Sequence, residues 1–276
     1  MCVHGRSTES IASLLTPCRV ETVGSTSDDV VRAIPGFCQP VSSFSHLAAA
    51  VVALVAGVSL LRLARGDRRR VLAAAVYTLC VIATLGISGA YHSLDRGFSA
   101  RAVMQRIDYF AIWLLIAGTF TAVHGIMYRG AWRSGVLIFI WSYAATGILL
   151  QAIWFGVFSG VAGLVLYLGL GWGGVLSIFK LGRQLGSRAV RPLWYGGIAY
   201  SGGAILEATG HPMLIHRWVG PHEIFHFAVI AGVALHWSFI RRLLTVHAPA
   251  IPLATVSAGL PGATRVLPAK EPVFAD

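Results

Sequence analysis

Apolar stretches without Asp, Glu, Lys or Arg recur along this chain, at residues 44–61, 71–94, 109–128, 134–179, 192–206 and 224–240. A helix that crosses a bilayer needs about 20 predominantly apolar residues. The stretch 134–179 is long enough for two such helices, and Gln151, Trp154 and Gly156 predict an interfacial turn within 151–160. Seven spans follow. Residues 1–40 carry polar and charged side chains throughout, with no apolar run long enough for a signal-peptide core, and predict a loosely ordered tail. Residues 243–276, rich in Pro and Ala, predict a similar tail, leaving 41–242 as the membrane domain.

Composition agrees with this pattern. Of 276 residues, 56% are hydrophobic and 12% charged, with a mean hydropathy of +0.71. These values predict an all-α polytopic membrane protein, a seven-transmembrane-helix bundle, and exclude a large soluble core. The formal net charge of +11 raises the question of nucleic acid. The basic residues, however, fall in short loops such as that of Arg62, Arg65, Arg68, Arg69 and Arg70. In a membrane protein that is a topology signal, with attraction to anionic headgroups as a by-product, and no nucleic-acid partner is expected. Cys2, Cys18, Cys38 and Cys80 show no CxxC spacing and suggest neither a disulfide framework nor a zinc ribbon. The glycines of the fifth span, from Gly160 to Gly174, predict close helix packing; no Lys-Ser/Thr follows to make a phosphate loop.

Seven spans fix which residues share a membrane face. The N-terminus and the loops after spans 2, 4 and 6 lie on one side, here side A; the other loops and the C-terminus lie on side B. Span 2 ends at side A with Ser88-Gly-Ala-Tyr-His92, and span 3 starts there with Asp108 in its first turn. Span 6 ends there with Glu207, span 7 opens there with His222-Glu-Ile-Phe-His226, and span 1 starts there just before His46. Ionisable groups are costly inside a membrane and mark function by default. Ser88 and His92 lie one helical turn apart on one face, as do His222 and His226. Three imidazoles with an open fourth position is the arrangement of catalytic zinc, with Asp108 and Ser88 as natural outer partners.

Ser88-x3-His92, Asp108 and His222-x3-His226, in this order over residues 40–242, resemble the haemolysin III family. That family belongs with the progestin and adipoQ receptors and, more distantly, with the alkaline ceramidases. Pro40-Val-Ser-Ser-Phe-Ser-His46 is similar to the family's first-span signature, without the acidic residue and Asn that often precede its His. The resemblance implies zinc held by His92, His222 and His226, with Ser88 and Asp108 close by.

Other readings stand beside this one. HEIFH matches H-E-x-x-H, in which Glu223 would be the base of an intramembrane zinc protease, with Asp108 or Glu207 as a further acidic ligand. Otherwise Glu223 simply suits a helix N-terminus behind Pro221. His222 and His236 have a two-haem spacing, but no other span carries a matching pair. His124 and His236 fall at side B ends as interfacial residues, His211 and His216 lie in the loop before span 7, and His4 and His247 in the tails. The roles of His46 and Glu207 stay open.

Two classes of function follow. One is a zinc-dependent hydrolase for the amide or ester of an amphipathic lipid entering from the bilayer, with Asp108 and Ser88 assisting the chemistry. The other is a non-enzymatic membrane sensor or pore-forming protein in which zinc is a structural clasp, closed by Asp108. For orientation, side B loops and the start of the C-terminal tail carry thirteen Lys or Arg, against four on side A loops, or five with Arg32. The positive-inside rule then puts the C-terminus in the cytoplasm of a cell membrane and the site outside. The receptor branch of the resemblance implies the reverse.

Overall fold

The structure, a computed structural model, describes residues 33–34, 37–95 and 99–246. The expectations for most of both tails, including Cys2, Cys18, Arg32, His4 and His247, lie outside the described residues, as does Arg96. The helices are α1 (Pro40–Leu63), α2 (Arg68–Ser93), α3 (Ala100–Met127), α4 (Gly130–Ile153), α5 (Phe155–Phe158), α6 (Val161–Trp172), α7 (Val175–Leu185), α8 (Arg191–Thr209) and α9 (Pro221–Val246).

Six helical units are long and apolar enough to cross a membrane: α1, α2, α3, α4, α9 and Val161–Leu185, which joins α6 to α7. α8 is less apolar, but its 19 residues reach about 28 Å. It runs antiparallel along α9. At one end the Leu193 carbonyl lies 3.3 Å from His236 Nε2, and at the other Glu207 meets His222 at 2.9 Å. It is thus the seventh rod of the bundle. Close approach comes from small residues: a Cβ on Gly203 would stand 2.5 Å from that of Ala228, and one on Gly232 2.6 Å from the Tyr200 ring. Gly210, in the left-handed region at φ 72°, ends α8, its amide donating to the Leu206 and Glu207 carbonyls.

The bundle is apolar outside and polar in places within. Val51, Val52, Val55, Ile138 and Leu176 are each more than 60% exposed, as lipid-facing side chains would be. Tyr77, Leu85, Phe239, Ile240 and Leu244 pack one core between α1, α2, α3, α8 and α9; Trp113, Ala117, Ile140 and Leu170 pack another against α4 and α6. Buried among them are Ser42, Ser43, His46, Ser88, His92, Glu223 and His226. Polar groups removed from water need partners, and these have them: Ser42 bonds Glu223, His46 meets His226, Ser43 bonds the Gly89 carbonyl, Ser88 bonds Asp108 and His92 meets Gln39.

Several expectations change. α3 begins at Ala100, so Asp108 lies more than two turns inside it and not in its first turn. The turn after the fourth span does fall at Trp154, but Gln151 is buried and not interfacial. Its Oε1 accepts from Trp113 Nε1 at 2.8 Å, and its Nε2 donates to the Phe158 carbonyl and to Tyr167 Oη, both at 2.7 Å. His124 is fully buried, with Nε2 3.0 Å from Ser177 Oγ. A side chain at the end of a hydropathy run can still point into the bundle, which position along the chain does not reveal. Cys38 is disulfide-bonded, contrary to the reading of its spacing, while Cys80 is a buried free thiol.

Candidate metal centre

Three helix ends build the centre. Pro221 opens α9 at its first position, where the missing N–H costs nothing. Two residues on, Glu223 turns back: its Oε2 accepts from the Gly220 amide at 3.0 Å and its Oε1 from Ser42 Oγ of α1 at 3.1 Å. This is the reciprocal half of a capping box. With Glu223 fixed toward α1, His222 and His226 share another face of the same first turns, their Nε2 atoms 3.0 Å apart. The last turn of α2 adds His92, its ring centroid 4.8 Å from that of His222 and 4.6 Å from that of His226.

The ligand atoms of His92, His222 and His226 all lie within 4.8 Å of one another. His92 and His226 are buried, and His222 keeps 29% of its side chain exposed. Such a group could hold a metal ion. The second ring nitrogens support the fit. His92 Nδ1 meets Gln39 Oε1 at 2.5 Å, His222 Nδ1 meets Glu207 Oε1 at 2.9 Å, and His226 Nδ1 meets His46 Nε2 at 2.8 Å. In metal sites a ligating imidazole uses its other nitrogen in this way, which fixes its tautomer and orientation. The Nε2 atoms are then the ones left as candidate ligand atoms.

Asp108 and Ser88 stand beside this group. Ser88 is buried one turn before His92 and hydrogen-bonds the Asp108 carboxyl. Asp108, Glu207 and Glu223 all act electrostatically on His222. Among the described residues the metal-capable group closes at three imidazoles, with Asp108 outside it. The expected convergence of His92, Ser88, Asp108, Glu207, His222, Glu223, His226 and His46 on one end of the bundle is therefore present. The acidic residues proposed for a protease are otherwise engaged, Glu223 with Ser42 and Gly220, and Glu207 with His222. His236, the partner in the haem reading, contacts the Leu193 carbonyl. His211 and His216 are exposed in the loop.

Sequence reasoning missed Gln39 and left His46 without a role. A signal was present. Gln39, Ser42, Ser43 and His46 follow the i, i+3, i+4, i+7 spacing of one helix face. In a soluble helix that polar stripe would face water; at the start of a membrane helix it faces the bundle, and all four residues are buried.

Comparison with known proteins bears on the same residues. A family model described as Haemolysin-III related matches residues 39–237, which include the whole centre. The chain is 30% identical over 170 residues to Hemolysin-3 of Bacillus cereus, covering 62% of this chain and 74% of that protein. It is also 30% identical over 132 residues to the Hemolysin-3 homolog of Bacillus subtilis (strain 168), covering 48% of this chain and 59% of that protein. An all-α polytopic membrane bundle whose centre and flanking helices fall within that match, this chain belongs to the haemolysin III family.

Proposed function

We propose that this protein is a zinc-dependent hydrolase acting on an amide or ester bond of an amphipathic lipid. The observation that carries the reading is the set of three imidazoles whose outer nitrogens are all engaged, with a carboxyl–hydroxyl pair beside them. Three nitrogen ligands with a fourth position free of protein is the pattern of catalytic rather than structural zinc. His92, His222 and His226 hold the metal. A zinc ion there supplies Lewis acidity and brings the pKa of water down to about 7.

The remaining work falls to the chain. Asp108 accepts a proton at a carboxyl oxygen as the nucleophile forms and returns it to the leaving group. Ser88 holds that carboxyl through its hydrogen bond, so the accepting oxygen keeps its place. His222 keeps part of its side chain exposed, which supports access to the centre from outside the bundle. A lipid substrate suits a site built at the ends of membrane helices, since the carbonyl lies near the headgroup while the chains stay in the bilayer.

A second reading is favoured by the names of the relatives, Hemolysin-3 and Hemolysin-3 homolog. In it the protein is a membrane sensor or pore-forming protein, and zinc clasps α2 to α9. Asp108→Asn separates the two. Asn keeps the shape but cannot carry the proton. The hydrolase reading expects turnover of a ceramide-like or phospholipid substrate to fall about 10²- to 10⁴-fold with zinc retained. The clasp reading expects zinc affinity and melting temperature to fall instead. A variant unchanged in zinc content, melting temperature and turnover contradicts any role for Asp108.

A further inference from the structure

We infer that Gln39 is a positioning residue of the metal centre, gripping His92 by ring and backbone so that its Nε2 faces the metal. This rests on the zinc reading above.

Gln39 occupies the N-cap position of α1, where a side chain ordinarily satisfies the first amides of its own helix. Here it makes no such cap. Its backbone amide donates to the His92 carbonyl at 3.0 Å, while its side-chain oxygen lies 2.5 Å from His92 Nδ1. An amide oxygen can only accept, so His92 Nδ1 carries the proton and the lone pair sits on Nε2. The side-chain contact fixes the ring in tautomer and direction, and the main-chain contact holds the backbone that carries it. Gln39 is 6% exposed and His92 2%, so water is not a ready substitute for the partner.

Other bonds hold Gln39 in place without its side chain. Cys38 N donates to the Ser93 carbonyl at 3.4 Å, Ser43 N to the Gln39 carbonyl at 2.9 Å, and Ser43 Oγ to the Gly89 carbonyl at 2.8 Å. The start of α1 is thus stitched to the last turn of α2 by main-chain and serine contacts. Removing the amide group alone should free the His92 ring and leave the helix pair intact. Gln39 also differs in kind from the carboxylate that orients His222: it orients without adding negative charge to the centre.

The test uses the purified full chain with Gln39→Leu and Gln39→Glu variants. Zinc affinity is measured by competition with a chromophoric chelator, beside the melting temperature of the metal-free protein. Gln39→Leu is expected to bind zinc about 10- to 100-fold more weakly, as for lost outer partners of other metal sites. Its metal-free melting temperature should match wild type. Gln39→Glu, which restores an acceptor, should recover wild-type affinity or exceed it. Wild-type affinity in Gln39→Leu overturns the inference while leaving the zinc reading intact. Affinity lost equally in both variants also overturns it, because an acceptor would then not be what matters. A wild-type protein that binds no zinc defeats the zinc reading itself and this inference with it.

Discussion

A histidine offers two nitrogens, and the use of one determines what the other can do. In this centre Gln39, Glu207 and His46 each occupy one nitrogen of a different imidazole. HEIFH and the Ser88–His92 pair were legible in the sequence because their partners are one turn away on the same helix. Gln39 and His46 showed only as members of a polar stripe, and their roles did not, because their partners lie 53 and 180 residues distant. Glu223 shows the converse: its motif suggests a catalytic base, whereas its oxygens accept from Ser42 and Gly220. Glu223→Gln should therefore retain zinc and change hydrolysis only modestly. It should lower stability by only about 1 kcal/mol, since the Gln oxygen can still accept from the Gly220 amide and its NH2 can donate to Ser42 Oγ, and only the charge assistance of the carboxylate is lost. Chemical denaturation and turnover together check this; a loss of a hundredfold or more in rate with zinc retained would favour the protease reading.

At the scale of the element, hydropathy located the helices but not their ends. Asp67, outside the charge-free runs, sets where α2 begins by accepting from the amides of Arg69 and Arg70. Burial pushes its carboxyl upward, but those amides and the Arg69 guanidinium outweigh it and hold the carboxyl below its usual range. A carboxyl lowered on folding stabilises the protein above its unfolded pKa, and that contribution fades as pH falls through the folded value. Asp67→Ala should cost about 1 kcal/mol at neutral pH. The difference from wild type should shrink in acid, and a difference that grows in acid would contradict the assignment. α8 was legible as a charge-free run, yet its contact with α9 depends on glycines whose partners the sequence does not name. Gly203→Leu should force α8 from α9 against Ala228 and Phe225 and cost about 1–3 kcal/mol. Because Glu207 rides one turn further along α8, zinc affinity should fall with it. An unchanged melting temperature would mean that the two helices separate without cost.

For the molecule as a whole, the antiparallel run of α8 beside α9 keeps seven rods, and the starts of α1 and α9 share the histidine face while their ends share the other. The side opposite the histidines holds Arg62, Arg65, Arg68, Arg69, Arg70, Arg129, Arg133, Lys180, Arg183, Arg188 and Arg191, with Arg241 and Arg242 at the end of α9. The excess of basic residues over the histidine side favours a cytoplasmic C-terminus. A C-terminal reporter active only in the cytoplasm should be active; a silent one paired with an active external reporter would reverse the orientation. Independent of orientation and of reaction, the central claim is that three imidazoles from α2 and α9 hold one zinc ion. Elemental analysis of purified wild-type protein and of His226→Ala tests it most directly. About one zinc per chain is expected in the wild type, and a small fraction of that once two imidazoles remain. Full occupancy in His226→Ala, or a zinc-free wild type from zinc-replete cells, would contradict it.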